Sequence, residues 1–183
     1  THKAFHIGHL RNICLGEALV RILESQGAKV FRANYQGDIG MHVAKFLWGY
    51  MHSKATESPP SDIRKRQEFM GKIYAKGGKA YEENEVAHEE INDINRRLYK
   101  KDKALLQMWK TTREWSLEYF DYIYKLLGSH FDHLFFESEV HELGLQLVRE
   151  GIEKNIFEES RGAIIFPGSK YGLHDRVFIT GDG

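Results

Sequence analysis

The first part of the chain alternates between helical and strand-like spacing, and this alternation limits the fold more than any other feature. Residues 8–26 carry apolar side chains at mainly three- and four-residue intervals, and Gly27 follows where a helix-capping glycine belongs, so we predict a helix. Residues 29–35 alternate at period two, which predicts a strand with one apolar side formed by Phe31, Ala33 and Tyr35. Helical spacing returns at residues 44–51. Helices that alternate with a strand in this way indicate a parallel sheet covered by helices.

The middle of the chain has a different character. A cluster of turn residues at 55–61, including Pro59 and Pro60, marks a boundary. From 62 to 127 the apolar residues keep helical spacing among charged ones, which predicts a hairpin of two long helices that breaks near residues 101–102. We expect its aromatic stripe to pack in a core rather than stack on RNA bases; the stripe comprises Trp109, Trp115, Tyr119 and Tyr122.

The last part of the chain returns to mixed structure. A helix is predicted across residues 139–150, together with three short strands at 131–136, 163–166 and 176–180. The chain begins at Thr1 without a methionine, already inside a motif, and ends in the turn-like residues 181–183. We therefore expect an α/β piece excised from a longer protein.

Composition excludes several classes of protein. With 42% hydrophobic and 28% charged residues, the chain is an ordinary globular protein. Lys and Arg total 26, as do Asp and Glu, so no strong positive field gathers nucleic acid, and any RNA contact is local or lies elsewhere. A single cysteine excludes an internal disulfide and favours a reducing compartment. Because no signal-peptide core and no apolar run near the ~20 residues needed to span a bilayer are present, we predict a cytoplasmic location without a membrane partner.

Two histidines flank the start of the first predicted helix, in the run His6-Ile7-Gly8-His9. The amino end of a helix carries partial positive charge and unpaired N–H groups, so a polyphosphate fits there. From this position both imidazoles can donate hydrogen bonds to oxygens that gain charge as an α-phosphate becomes pentacovalent. Gly8 has no side chain, which lets an adenine or ribose approach the backbone closely. We therefore predict nucleotide activation, with His6 and His9 as the catalytic residues.

Two other interpretations of this histidine pair stay open. The pair could be partly buried at a helix start without any chemical role. Alternatively, His2, His6 and His9 could gather a divalent metal ion, since the chain has ten histidines. Metal sites usually recruit carboxylate or cysteine ligands, but no carboxylate lies within the first sixteen residues, and a metal would compete with the nucleotide for the same imidazoles. We therefore expect no metal site.

Longer runs around the histidines resemble one protein family. Residues 3–12, including Lys3 three residues before the first histidine, resemble the HIGH region of arginyl-tRNA synthetases. Residues 34–40 are similar to that family's Asn-x-x-Gly-Asp-Trp-Gly segment, with Ile39 in place of Trp, and His42 stands where Gln is common. The resemblance continues at Trp109, Ser116, Tyr124, Leu127, Phe131-Asp132, Glu137-Ser138, 161–166 and 175–179. It thus covers nearly the whole chain.

The resemblance implies a Rossmann-like (HUP-type) α/β half domain with a parallel sheet and a largely helical insertion. Residues 1–54 would form the first half of the catalytic domain, residues 55–160 the insertion, and residues 161–183 strands that lead back to a second half. The complete enzyme would use ATP with Mg²⁺ to form arginyl-adenylate and pass the arginyl group to tRNA(Arg). The chain alone, which lacks the arginine-binding residues of the second half, is expected to be inactive, and a monomer is favoured.

The same resemblance assigns roles to individual residues. His6 and His9 would stabilise the transition state of adenylate formation, Gly8 would contact the nucleotide, and Lys3 would contact the ATP phosphates; the alternative for Lys3 is a solvated surface lysine. The loop after the predicted strand would face the substrate through Asn34, Gly37, Asp38 and Gly40. The alternative for this loop is a tight turn that is held by Asp38 and has no contact with substrate.

Three rival functions stay open on the sequence alone. The chain could belong to another class I aminoacyl-tRNA synthetase, or to a small-molecule nucleotidyltransferase that shares the HIGH-type signature. It could also be a synthetase-like interaction module without catalytic activity.

Overall fold

The computed structural model describes residues 1–53 and 59–181 of the chain. They form two compact units, Thr1–Ser138 and Glu139–Gly183. Most of the turn cluster predicted at 55–61 lies outside the described residues. The division between the units falls after Ser138, whereas the sequence places domain boundaries after residues 54 and 160, and those boundaries stay predictions.

The first unit contains a pair of parallel strands and several helices. In chain order its elements are α1 (Ile7–Ser25), β1 (Ala33–Gln36), α2 (Met41–Met51), α3 (Ile63–Glu83), α4 (Glu85–Tyr99), α5 (Lys103–Leu126) and β2 (His133–Phe136). β1 and β2 pair in register from Ala33 opposite His133 to Gln36 opposite Phe136. The predicted parallel sheet is confirmed, although β1 is shorter than the run at 29–35. The side of β1 that carries Tyr35, which was predicted to be the apolar side, is exposed, whereas Gln36 on the opposite side is buried.

The predicted hairpin of two helices is wrong, because the same stretch forms three. An additional break falls at Asn84, whose backbone is extended (φ −136°, ψ 114°) and whose side chain accepts a hydrogen bond from Ala87 N at 3.0 Å. An asparagine in this position ends one helix and caps the next. The break predicted near 101–102 is confirmed, since Asp102 caps α5 by accepting from Ala104 N at 2.8 Å.

One hydrophobic core joins α2 to α3, α4 and α5. Its fully buried members include Val43, Phe46, Leu47, Met70 and Ile91, with Trp109 beside them and Trp115 packed against them. Core packing is thus confirmed for the two tryptophans of the aromatic stripe. The backbones of α2 and α3 touch through glycines, since a Cβ added to Gly49 would lie 3.3 Å from Gly77 N. Helix α2 and the helices of the predicted insertion therefore share one core.

Helix α1 is present as predicted, with Gly27 after it at φ 85°. Among the described residues, however, none of α1 is buried, and its apolar Leu19 and Ile22 are more than half exposed. Polar contacts hold the helix instead. Arg21 donates to the carbonyl of Gly128 at 2.8 Å, and Arg32 beside β1 pairs with Glu24 at 2.7 Å.

The second unit contains α6 and an antiparallel sheet. Its elements are α6 (Glu137–Glu153, whose first two residues belong to the first unit), β3 (Glu158–Ser160), β4 (Ala163–Phe166), a short 3-10 helix (Gly168–Tyr171) and β5 (Arg176–Ile179). The strand order is β3-β4-β5. The helix predicted at 139–150 and the strands predicted at 163–166 and 176–180 are confirmed. β3 was not predicted, because three polar residues give no apolar alternation. None of the helices described is both long and apolar enough to cross a membrane.

Candidate active site

Two histidines cap each other at the start of α1. His6 precedes the helix with an extended backbone (φ −129°, ψ 171°), and its Nδ1 accepts a hydrogen bond from Gly8 N at 3.1 Å. His9 Nδ1 in turn accepts from His6 N at 3.2 Å, and the two ring centroids lie 3.8 Å apart. This reciprocal cap pairs backbone donors that a helix start otherwise leaves unsatisfied.

The hydrogen bonds of the cap determine which ring nitrogen of each neutral histidine carries the hydrogen. An Nδ1 that accepts a hydrogen bond carries no hydrogen, so the neutral ring keeps its hydrogen on Nε2 and presents it as a donor. Partial burial, with Lys3 as a smaller cause, lowers the pKa of His9 and so favours its neutral form. Two N–H donors at a helix amino end suit an oxygen that is gaining negative charge.

Gly8 also fits closely into the cap. A Cβ added at this position would lie 2.9 Å from Cε1 of the His6 ring. Any other residue would push the imidazole away from the Gly8 N–H that it accepts. This packing reason stands beside the sequence-based expectation that Gly8 allows a nucleotide to approach the backbone.

The segment that carries Lys3 is anchored by His2. The His2 ring is buried, with Nδ1 2.8 Å from Thr1 Oγ1 and Nε2 2.8 Å from Thr112 Oγ1, and His2 N donates to Ser116 Oγ at 2.8 Å. Burial holds the pKa of His2 well below its usual value, so the ring is neutral. Both ring nitrogens have hydroxyl partners, so the geometry does not support a metal ion held by His2 together with the exposed pair at α1.

Lys3 itself lies at the protein surface beside α3. Its Nζ is 5.9 Å from the centroid of the Tyr74 ring, and its carbonyl accepts from Gln67 Nε2 at 3.5 Å. The backbone is therefore fixed on both sides while the ammonium group stays in water. A lysine held in this way keeps its charge available to an anion.

Lys3 and His9 face a cavity of about 420 Å³ together with the first turns of α1, the end of β1 and the last part of α5. Its polar lining includes Asn12, Asn34, Gln36 and Tyr124. Among the described residues that line the cavity, none is Asp or Glu. The ammonium group of Lys3 and the amide N–H groups of this lining suit an anionic ligand.

The loop after β1 divides its predicted residues between the cavity and the interior. Asn34 and Gly37 line the cavity. Asp38 is completely buried, and its carboxylate accepts from Arg113 Nη1 at 2.8 Å, Ser138 Oγ at 2.7 Å and Ser138 N at 2.9 Å. Gly40 precedes α2 at φ 106°, a conformation that favours glycine. Asp38 and Gly40 therefore shape the loop from behind, and the Asp38 carboxylate is held by residues distant in the chain rather than by the backbone of its own turn.

Three further residues of the site were not chosen from the sequence. Gln36, Tyr124 and His42 all line the cavity, and His42 Nε2 donates to the Gly37 carbonyl at 3.2 Å. Burial lowers the pKa of His42, so it acts as a neutral donor that fixes the loop. Gln36 and His42 belong to the segment that resembles the family motif, and Tyr124 to its helical match, so the resemblance contained a signal for all three.

A helix amino end that faces the carboxyl end of a parallel strand is the arrangement of a nucleotide-binding α/β protein. The family model for "tRNA synthetases class I (R), catalytic domain" matches residues 1–179. The chain therefore belongs to the class I tRNA synthetase family of the arginine (R) type.

Known members of the family are similar over most of the chain. The arginine–tRNA ligase of Borreliella afzelii is 36% identical over 165 residues, which are 90% of this chain and 28% of that protein. The arginine–tRNA ligase of Treponema pallidum is 32% identical over 185 residues, covering 100% of this chain and 31% of that protein. The crystal structure of Plasmodium falciparum arginyl-tRNA synthetase shares the fold, with a TM-score of 0.71 and 21% identity over 100% of this chain and 30% of that one. The chain thus spans about 30% of the length of these proteins.

Proposed function

We propose that the full-length protein ligates arginine to tRNA(Arg) through arginyl-adenylate, with ATP as the second substrate. The observation that carries the proposal is the reciprocal cap of His6 and His9 beside a cavity that Lys3 lines. The family match supports arginine as the amino acid, and the structural likeness supports the fold. Mg²⁺ would enter with ATP and would neutralise charge on its phosphates.

The reaction has two steps. The arginine carboxylate attacks the α-phosphate of ATP, the bond to the β-phosphate breaks, and pyrophosphate leaves with its electron pair. The Nε2–H groups of His6 and His9 donate to the phosphoryl oxygens as these gain charge, and Lys3 attracts the phosphate chain. A ribose hydroxyl at the end of the tRNA then attacks the acyl carbon, loses its proton and releases AMP.

The residues behind the cavity hold this arrangement in place. His2 anchors the segment that carries Lys3, and Asp38 and His42 fix the loop whose Asn34 and Gly37 line the cavity. We place Gly8 in the nucleotide site because it lies within the cap. We also propose a cytoplasmic location and a monomer; the free, exposed thiol of Cys14 fits a reducing compartment.

Charging of tRNA(Arg) tests this function directly. The purified full-length protein, given ATP, Mg²⁺ and each standard amino acid in turn, is expected to charge tRNA with arginine alone. The 183-residue chain assayed alongside is expected to charge nothing. Charging with another amino acid would support the rival synthetase, and no charging by folded full-length protein would support a non-catalytic module.

A further inference from the structure

Tyr124, near the end of α5, presents a firmly held phenol ring to the cavity. The ring meets Phe131 edge to face with centroids 4.8 Å apart, and the Phe5 ring lies 6.3 Å away. Phe120 completes the aromatic surroundings at 6.4 Å. Because these contacts are apolar and fix the ring plane, the position of the hydroxyl is set by packing rather than by the ligand.

Two amide side chains of β1 donate hydrogen bonds to the oxygen of this hydroxyl group. Asn34 Nδ2 donates to Tyr124 Oη at 3.0 Å, and Gln36 Nε2 donates to the same oxygen at 3.2 Å. A phenol oxygen has one hydrogen to donate and lone pairs for two acceptor bonds. With both acceptor positions filled, the O–H hydrogen is left to donate to a third partner.

The composition of the cavity limits what that partner can be. The ammonium of Lys3 and the amide groups of Asn12, Asn34 and Gln36 supply hydrogen-bond donors, and no Asp or Glu belongs to the described lining. The positive charge of Lys3 favours an anionic oxygen as the partner of this hydroxyl.

We propose that Tyr124 binds substrate by donating its hydroxyl hydrogen to an anionic oxygen of the reacting pair. That oxygen belongs to the carboxylate of arginine or to the α-phosphate of ATP, which share the same chemistry. Asn34 and Gln36 are positioning residues that orient the hydroxyl. This inference rests on the proposed function.

The test is Tyr124→Phe in the full-length protein, because phenylalanine keeps the ring and removes only the hydroxyl. A hydrogen bond to a charged group lost in this way is expected to lower kcat/KM for tRNA charging by about tenfold to a hundredfold. A rise confined to the KM for arginine assigns the bond to the carboxylate, and a rise confined to the KM for ATP assigns it to the phosphate. A loss in kcat alone assigns it to the transition state. Unchanged kcat and KM for both substrates would overturn the proposal.

Tyr122→Phe is the matched control, since Tyr122 lies on the same helix and is not among the residues of the cavity. It is expected to keep wild-type kinetics. Both variants are compared at a temperature at which circular dichroism shows each to be folded. If wild-type protein charges tRNA with arginine and Tyr124→Phe charges it with the same kcat and KM, only this inference fails. If the wild-type protein charges nothing, the proposed function fails first.

Discussion

Gly77→Ala is expected to lower the free energy of unfolding by about 3 kcal/mol or more. A Cβ at this position would overlap the carbonyl oxygen of Lys45 and lie 2.7 Å from its carbonyl carbon. Both atoms belong to the backbone of α2 and cannot rotate aside as a side chain would. The methyl group therefore forces α2 and α3 apart and loosens the core that they share.

Gly78→Ala is the control for this change. Gly78 follows in the same helix, but a Cβ there would meet nothing within 4 Å. Because alanine favours a helix over glycine by about 1 kcal/mol, this variant is expected to be as stable as wild type or slightly more stable. Urea unfolding followed by tryptophan fluorescence measures both, since Trp48 and Trp109 lie in the core. Equal stability of the two variants would contradict the close contact.

Asp38→Asn is expected to destabilise the chain by about 3–5 kcal/mol, the usual cost of breaking a buried ion pair from one side. Asparagine keeps the size of the side chain but removes the charge that faces Arg113. The guanidinium lies over the rings of Trp109 and Phe136, at 4.5 and 4.7 Å from their centroids, and moving it would disturb both contacts. The loop after β1 is expected to loosen together with the core.

Asp121→Asn provides the comparison on the surface. Asp121 pairs with Lys125 at 2.6 Å, but both side chains are largely exposed. Such a pair contributes at most about 1 kcal/mol, so this variant is expected to unfold near the wild-type urea concentration. If Asp38→Asn and Asp121→Asn unfold at the same urea concentration, the ion pair of Asp38 and Arg113 does not hold the loop.

Local features of the site could be predicted from the sequence. The position of His6 and His9 at the start of α1 depends on residues within one helical turn, as does Gly27 at its end. Apolar spacing likewise located α2 and the helical stretch from 62 to 127. These features need no information about distant residues.

Features that depend on distant partners could not be predicted in the same way. Asp38 meets Arg113 and Ser138, which lie 75 and 100 positions further along the chain. Tyr124 meets Asn34 only because α5 returns to the end of β1, 90 positions from that asparagine. The break at Asn84 was missed for another reason, since apolar spacing continues across it and only the capping side chain marks it.

Adenylate formation by His6→Ala and His9→Ala variants of the full-length protein tests the central claim most directly. Each loss of a donor to the phosphoryl oxygens is expected to slow single-turnover pyrophosphate release about a hundredfold. Both variants should stay folded, because a lost helix cap costs only about 1 kcal/mol. His133→Ala, at an exposed histidine of β2 that lines neither this cavity nor its neighbour, should react like wild type. Losses below about tenfold at both His6 and His9 would contradict their assignment as the catalytic pair.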